Sequence, residues 1–340
     1  MTLDAASPRR VLVTGAEGYL GRLFVEALAA DPGLALVATD VRVPKTKVEK
    51  VTHLPLDITD ADAVRRAFEE HRPEVVVHLA AVVTPRPGQS REEQRKVDVD
   101  GTKHVLEACV ATGVRKVITT SSGAAYGYHA DNHALLVETD PLRGNEVFAY
   151  SWHKRLVEQL LADYRERHPE LHQLVFRVST VLGERVHNQI TALFEGRVIV
   201  GLRGVDTPFC FVWDQDVVAC LAKGVRDDAV VGVFNLTGDG VMTLREIARA
   251  MKRRFLPLPA RWLGKGLAVL SKRGVVPYGP EQVLFLAHRP VLSNAKLKRE
   301  LGFPPRSSRE VFGLYRASRA FRASYSETSS TFSTFARSLL

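Results

Sequence analysis

A doubly wound α/β fold, in which helices cover both faces of a parallel sheet, is the class that this 340-residue sequence predicts. Two observations predict it. Short apolar runs of strand length alternate with helical patterns over roughly the first half of the chain, which is typical of parallel sheets. The first run, residues 11–13, also leads directly into three evenly spaced glycines and a helical pattern over 22–30. Many sheets of this class begin with a strand, a glycine turn and a helix in that order.

The glycine turn reads TGAEGYLG over residues 14–21. Gly15 permits a sharp turn, Gly18 lets backbone amides approach a pyrophosphate, and Gly21 lets the helix pack closely on the strand. The helix N-terminus adds unpaired N–H groups and a positive dipole. We therefore predict a Rossmann-type dinucleotide site here. The contacts assigned to this turn are Gly15, Glu17, Gly18, Tyr19 and Leu20.

The second apolar run, residues 34–39, ends at Asp40, about twenty residues after the glycines. A carboxylate at this position can accept hydrogen bonds from both hydroxyls of the adenosine ribose, and it repels a 2′-phosphate. Arg42 lies two residues further on and could partly reverse that preference. The sequence therefore favours NAD over NADP.

Apolar periodicity predicts the remaining elements. Asp60 has the side chain and position of a helix N-cap, and His78, alone in an apolar strand, is interpreted as a hydrogen-bonded core residue. The predicted elements are strands over 54–59, 73–81, 115–121, 173–180 and 231–236, helices over 60–71, 96–112 and 148–167, a loop over 82–94, and a strand followed by a helix over 209–224.

The alternation of predicted strands and helices divides the chain into two regions and a tail. Residues 1–183, completed by 209–238, are predicted to form the NAD-binding domain. Residues 184–208 and 239–318 lack regular alternation and are assigned to a smaller substrate-binding region. Residues 319–340 end in a Ser/Thr-rich stretch without periodicity and are predicted to be a disordered tail. A basic amphipathic helix over 261–273 is interpreted as packing on the substrate region, with a hydrophobic lid or a membrane-surface helix as alternatives.

Composition excludes several other classes. The net charge is +9, but the basic residues are scattered, with a moderate cluster at Lys252–Arg254 and others from Arg261 onward. They are not interleaved with aromatic residues, so we predict no nucleic-acid partner. No apolar run reaches membrane-spanning length and the N-terminus lacks a signal-peptide core, which predicts no stable membrane insertion. The three cysteines have no metal-site spacing. We expect a reduced, cytoplasmic protein with no metal site and a small-molecule substrate.

Further motifs, taken together, resemble those of the extended short-chain dehydrogenase/reductases, the NAD-dependent sugar epimerase/dehydratase group. The resemblance runs in order over about residues 10–312 and implies that family's fold and cofactor. The matching segments are TGAEGYLG at 14–21, HLAA at 78–81, VDVDGTKHVLEAC at 97–109, TSSGAAYG at 120–127, YSWHK at 150–154, RVSTVLG at 177–183, the segment 211–217, and LSNAKLKRELGF at 292–303.

The resemblance implies that Ser122, Tyr150 and Lys154 are the catalytic residues. Tyr150 and Lys154 are four residues apart and share a helix face. Ser122 is preferred to Ser121 because it lies four residues before Tyr126, the spacing found in the family. Tyr150 would remove the proton of a substrate hydroxyl, and Lys154 and the nicotinamide ring would depress its pKa. Ser122 would hold the substrate oxygen, and Lys154 would also reach the nicotinamide ribose.

The resemblance also implies weaker contacts. Asp57 and Ile58 would lie by the adenine, and the backbone of Leu79, Ala80 and Ala81 would pass the pyrophosphate and ribose. The family often dimerises through its counterparts of the helices over 96–112 and 148–167, so a homodimer is expected. The residues assigned to substrate are Val83, Ser122, Gly123 and Tyr126.

Two positions depart from the family's pattern. Asp98 stands where the family often has Asn, and Phe209 stands where nucleotide-sugar epimerases commonly have an Arg that holds the substrate diphosphate. Losing that guanidinium weakens the nucleotide-sugar interpretation, although Arg203 or Arg289 could replace it. The leading hypothesis is an NAD-dependent oxidoreductase acting on a secondary alcohol or ketone. The alternatives are an NAD-dependent sugar epimerase with transient cofactor reduction and, from another class, a non-catalytic NAD(H)-binding sensor or scaffold.

Overall fold

The computed structural model describes residues 7–86, 88–273 and 279–326. A π-helical turn, Lys96–Asp100, and a 3₁₀ turn, Gly123–Tyr126, supplement its regular elements. The strands are β1 Arg9–Thr14, β2 Leu34–Asp40, β3 Thr52–Pro55, β4 Val75–His78, β5 Lys116–Ser122, β6 His172–Val178, β7 Thr180–Leu182, β8 Val198–Leu202, β9 Pro208–Phe209, β10 Phe211–Trp213, β11 Gly232–Leu236, β12 Met242–Thr243 and β13 Arg254–Leu258. The helices are α1 Tyr19–Leu28, α2 Ala61–His71, α3 Arg91–Arg95, α4 Gly101–Thr112, α5 Ala149–Arg167, α6 Gln189–Glu195, α7 Asp214–Arg226, α8 Leu244–Ala250, α9 Ala260–Lys272, α10 Gln282–Ala287, α11 Ala295–Leu301 and α12 Ser308–Ser326.

Seven of these strands form one sheet, in the order β11-β6-β5-β4-β1-β2-β3. All its pairs are parallel, and Thr14 of β1 lies opposite His78 of β4. The strand order reverses between β1 and β4, which is where ligands bind in open sheets of this kind. The predicted doubly wound parallel fold is confirmed.

Alternation along the strands divides the core into two layers. Val11 and Val13 of β1 face one cluster, which α1 and α7 complete, whereas Leu12 faces the other, which α2, α4 and α5 complete. These three side chains are fully buried. Burial of both faces explains why the strand reads as a continuous apolar run rather than an alternating one.

A second, smaller core holds the C-terminal segments together. Phe194, Phe209, Phe211 and Phe312 pack within 5.3–6.0 Å, ring centre to ring centre. Around them lie α6, α8, α10 and α12, and the strands form three two-stranded sheets, β7 with β10, β8 with β13 and β9 with β12. The segments that lack alternation in the sequence thus contain short strands and helices that pack on aromatic side chains.

Several predicted boundaries are wrong. β3 begins at Thr52 and ends at Pro55, whereas the strand predicted within 54–59 begins at 54 and ends at Asp57, because the Asp57 side chain accepts the Thr59 N–H and begins a turn. The predicted loop over 82–94 contains the start of α3, which Ser90 caps, and α4 is preceded by the π turn. Residues 319–326, predicted to be disordered, continue α12, while 327–340 lie outside the described residues. The Asp60 cap is confirmed, since its side chain accepts from the Ala63 N–H.

Candidate active site

The glycine turn between β1 and α1 passes close to the end of β4. Gly15 has a φ of +68°, and a Cβ atom on it would lie 2.5 Å from the Ala80 nitrogen. A Cβ on Gly21 would lie 2.2 Å from the Gly15 carbonyl oxygen. Gly18 occupies the N-cap of α1 and adds no side-chain cap, so the N–H groups of the first turn face outward for an anion. The shape and donors of this turn fit a dinucleotide pyrophosphate.

The other side chains of the turn are engaged by neighbouring residues. The Glu17 carboxylate pairs with Arg22 at 3.1 Å, and the Tyr19 hydroxyl donates to Asp214 Oδ2 at 2.6 Å. The Leu20 side chain packs on the core of the sheet. Tyr19 and Leu20 would therefore bind the cofactor through their backbone atoms.

Asp40 closes the adenosine end of the proposed site. Its Oδ2 accepts the Glu17 N–H at 3.0 Å, and its two oxygens accept Nε and Nη2 of Arg42 at 2.9 and 3.0 Å. Burial raises the pKa of Asp40, but the hydrogen bonds from Arg42 outweigh that effect, so the pKa lies below its ordinary value. A cavity of about 90 Å³ adjoins the pair. Its lining is Ala16, Glu17, Ala38, Asp40, Arg42, Pro44, Lys47, His53, Leu54 and Pro55.

The cavity lining does not include Asp57, Ile58 or Val83, which the sequence assigns to adenine or substrate. Asp57 is exposed and accepts the N–H and hydroxyl of Thr59, whereas Ile58 is buried against Gly101. Val83 lies in the loop after β4 and is 56% exposed. Their contacts with adenine and substrate stay predictions.

The end of β4 leads toward the residues that the sequence predicts to be catalytic. His78 is buried, with Nδ1 2.7 Å from the Thr14 hydroxyl and Nε2 3.0 Å from that of Thr102. Burial, with a smaller effect from Lys154, lowers the pKa of His78 to about 3. It is a hydrogen-bonded core residue, as the sequence indicates. Residues 79–81 line a small cavity together with Lys154.

Ser122, Tyr150 and Lys154 meet at the carboxyl end of β5. Lys154 Nζ donates to the Thr120 carbonyl at 3.1 Å and lies 5.7 Å from the centre of the Tyr150 ring. Burial raises the pKa of Tyr150 to about 12, and Ser122 acts in the opposite direction. The pKa of Lys154 is lowered by burial, against the carboxylates of Asp98 and Glu158. The chain's own side chains therefore do not lower the pKa of Tyr150 below its ordinary value, although the sequence led us to expect that Lys154, with the nicotinamide ring, would.

The two serines of β5 have different surroundings. Ser121 is buried and donates its hydroxyl to Glu158 Oε1 at 2.6 Å. Ser122 is partly exposed, and its Oγ accepts the Ala124 N–H at 3.1 Å. Only Ser122 therefore presents a hydroxyl toward Tyr150, which supports the choice made from the sequence.

Tyr126, which the sequence assigns to substrate, belongs to the core, and its contact with substrate stays a prediction. Its side chain is fully buried. The hydroxyl is 2.9 Å from both the Val137 carbonyl and Asn235 Oδ1, and it accepts from Arg177 Nη1 at 2.8 Å. Arg177 in turn pairs with Glu158 at 2.7 Å. Its neighbour Gly123 is also buried, and a Cβ on it would lie 3.1 Å from Leu292.

Arg289 lies against Phe209, the residue that occupies the family's usual arginine position. The guanidinium carbon is 4.1 Å from the centre of the Phe209 ring and 4.3 Å from that of Phe285. Nη2 donates to the Thr180 hydroxyl at 2.8 Å, while Nε and Nη1 are buried without a hydrogen-bond partner among the described residues. Phe285 also packs on Tyr128, whose centre lies 5.5 Å away. Buried donors that lack a protein partner are expected to bind another group.

Asp98, the other departure from the family's pattern, is buried beside Lys154. One carboxylate oxygen accepts the Val82 N–H at 2.7 Å, and the other is 3.1 Å from His153 Nδ1. Asp98 and His153 are 3% and 1% exposed. The sequence alone missed this pair, because its members are 55 residues apart, although the acid at position 98 was a signal that its surroundings differ.

The fold and this site define an α/β protein with a glycine turn and a tyrosine–lysine pair at the carboxyl edge of a parallel sheet. The model of the NAD dependent epimerase/dehydratase family matches residues 11–202, more than half of the chain. The chain belongs to this family and is an extended short-chain dehydrogenase/reductase, which confirms the resemblance seen in the motifs.

Relatives with similarity over most of the chain include the uncharacterized protein y4nG of Sinorhizobium fredii, which is 27% identical over 331 residues, 92% of this chain and 80% of the relative. A UDP-glucose 4-epimerase of Erwinia amylovora is 29% identical over 190 residues, 53% of this chain and 56% of the relative. The structure of Thermus thermophilus UDP-glucose 4-epimerase in complex with NAD superposes with a TM-score of 0.69 at 26% identity. That match covers 91% of this chain and 98% of the Thermus chain.

Proposed function

We propose that this protein is an enzyme that transfers a hydride between NAD and a secondary alcohol or ketone carbon, with Tyr150 as the acid/base. The observation that carries this proposal is the convergence of Ser122, Tyr150 and Lys154 at the sheet edge that also holds the glycine turn. Proton removal, substrate positioning and cofactor binding each have a residue or segment of suitable chemistry there.

Each residue of the proposed site has a separate role. NAD, held by the glycine turn and Asp40, would supply the hydride acceptor. Ser122 donates a hydrogen bond to the substrate oxygen and holds it near Tyr150. Tyr150 removes the hydroxyl proton, and because burial raises its pKa to about 12, it needs positive charge nearby to do so. Lys154, one helical turn away, is the residue that supplies this charge.

Tyr150→Phe tests the role of the phenol. We expect the rate of substrate oxidation to fall by at least about a hundredfold while NAD affinity is retained, because only the proton acceptor is lost. Tyr164→Phe is the matched control, since Tyr164 lies on the same helix but in the core under α4. Activity unchanged in Tyr150→Phe would refute the role of Tyr150 as the acid/base.

The cofactor is tested separately. Asp40 presents a carboxylate at the ribose position, which supports NAD. Heat releases the cofactor from the purified protein, and its analysis identifies it as NAD or NADP.

We also propose a homodimer that forms through α4 and α5. Light scattering of the protein as it elutes from a sizing column measures its mass.

A second candidate is a nucleotide-sugar epimerase in which no reduced cofactor accumulates. Arg289 favours it, because a partly buried guanidinium with two nitrogens that have no partner among the described residues suits a diphosphate. Because Arg289 lies on the Phe209 ring, it can bind the diphosphate in place of the arginine that position 209 lacks. The Thermus and Erwinia relatives named UDP-glucose 4-epimerase add support for this substrate class.

The two candidates give different products from a panel of UDP-sugars and simple secondary alcohols. Inversion of a sugar without growth of NADH absorbance indicates the epimerase, and steady NADH production indicates a dehydrogenase. Arg289→Met should weaken UDP binding at least about tenfold without changing NAD affinity. Arg203→Met is the control, since this exposed arginine is the other candidate from the sequence. Equal UDP affinity in both variants would contradict a diphosphate site at Arg289.

A further inference from the structure

The positive charge of the chain is concentrated in one segment. Residues 247–280 contain eight arginines and lysines and no aspartate or glutamate, compared with a net charge of +9 for the whole chain. The basic residues of this segment are Arg249, Lys252, Arg253, Arg254, Arg261, Lys265, Lys272 and Arg273.

All eight side chains are exposed. Within the described ranges, no carboxylate lies within 4 Å of any of them, whereas Arg245, just before the segment, pairs with Asp206 at 3.6 Å. Residues 274–278 contribute no acidic side chain either, since their sequence is GVVPY. The segment is thus a cationic surface without internal neutralisation by the described part of the chain.

Helix α9 adds exposed apolar side chains to this charge. Trp262 is 61% exposed and Val269 is 50% exposed, and none of the residues of α9 is fully buried. The two lie seven residues apart, so they share one face of the helix, and Lys265 and Lys272 lie on the same side. The opposite side packs on α10, where a Cβ on Gly264 would lie 3.7 Å from Val283.

We propose that this face of α9, defined by Arg261, Trp262, Lys265, Val269 and Lys272, binds the surface of an anionic lipid bilayer. An interfacial helix typically has an apolar stripe with tryptophan beside lysine and arginine. The cations are attracted by acidic headgroups, and the indole ring is favoured at the level of those headgroups. No described helix is long and apolar enough to cross a membrane, so the binding is peripheral.

The apolar pair favours a bilayer over other polyanions. Nucleic acid would neutralise the lysines, and it could stack a base on Trp262. Val269 beside it has no stacking surface and gains by leaving water, which a bilayer interface allows. Helix α10, which supports α9, also carries Phe285 against Arg289. Bilayer contact would therefore bring the proposed substrate-binding region to the membrane surface.

Vesicle binding by the full chain tests the proposal. The probes are vesicles of phosphatidylcholine alone and vesicles with about a third of the lipid replaced by phosphatidylserine. We expect sedimentation with the acidic vesicles only, weakening as salt increases, and a blue shift of tryptophan emission that Trp262→Ser abolishes. Trp213 is buried and Trp152 partly buried, so the shift reports mainly on Trp262.

Charge reversal locates the surface. Lys265→Glu with Lys272→Glu should weaken binding to acidic vesicles at least about tenfold. Arg65→Glu with Arg66→Glu, on the exposed side of α2, changes the net charge equally and should not weaken it comparably. NAD affinity and the urea midpoint confirm that each variant is folded. No binding to acidic vesicles, equal losses in both double variants, or binding to duplex DNA in its place would overturn the proposal.

Discussion

Gly21→Ala tests how closely α1 must approach the glycine turn. Gly21 lies inside α1, where alanine has the better helix propensity by about 1 kcal/mol. A Cβ there would lie 2.2 Å from the Gly15 oxygen and 2.9 Å from the Ala16 Cα, and neither backbone atom can rotate away. Gly266 in α9 is the matched control, since a Cβ there would meet nothing within 4 Å.

The two substitutions share the propensity gain, so the difference between their free energies of unfolding isolates the cost of crowding. Overpacking of this kind costs about 1–3 kcal/mol. We expect Gly266→Ala to raise the free energy of unfolding by about 0.5–1 kcal/mol and Gly21→Ala to fall below it by the crowding cost. Urea denaturation measures both, and calorimetry should show weaker NAD binding for Gly21→Ala only. Two variants of equal stability would refute the close packing described for this turn.

Two further predictions concern the buried charges. Asp98 raises the pKa of Tyr150, so Asp98→Asn should lower that pKa and move the rise of kcat/KM for alcohol oxidation to lower pH; an unmoved pH profile would show that the two groups are uncoupled. Arg177→Met leaves the Glu158 carboxylate buried without its partner and should cost about 3–5 kcal/mol of unfolding free energy in urea, whereas Arg115→Met, which breaks exposed pairs, should cost less than about 1 kcal/mol. Similar losses for the two arginines would contradict the burial of the first pair.

The sheet could be predicted from the sequence because its strands are buried on both faces. Each such strand appears as an uninterrupted apolar run, and 11–13 and 75–77 are the clearest cases. The predicted end of the third strand was wrong for the same reason. Leu56 and Ile58 are buried, yet they follow the strand rather than belong to it, so their apolar character extended the prediction beyond Pro55.

Local spacing determined how much of the site was predictable. Tyr150 and Lys154 lie within one turn of a helix, and Ser122 ends β5, so two short motifs, TSSGAAYG and YSWHK, contain the three residues. The partners of Tyr126 are Arg177 and Asn235, 51 and 109 residues away, and no local pattern indicates that they bury its hydroxyl. The contact of Arg289 with Phe209 likewise joins two elements that are distant in the chain.

The charge of Lys154 depends on a residue that the family's pattern does not provide. Burial lowers the pKa of Lys154, and two carboxylates, Asp98 and Glu158, oppose that effect. Glu158 already accepts three hydrogen bonds from Arg177, so its charge is largely compensated. In the described part of the chain, the hydrogen-bond partners of Asp98 are the Val82 N–H and His153. Asp98 therefore opposes the effect of burial on the pKa of Lys154 and also raises the pKa of Tyr150, so Asp98→Asn should lower the pKa of both groups.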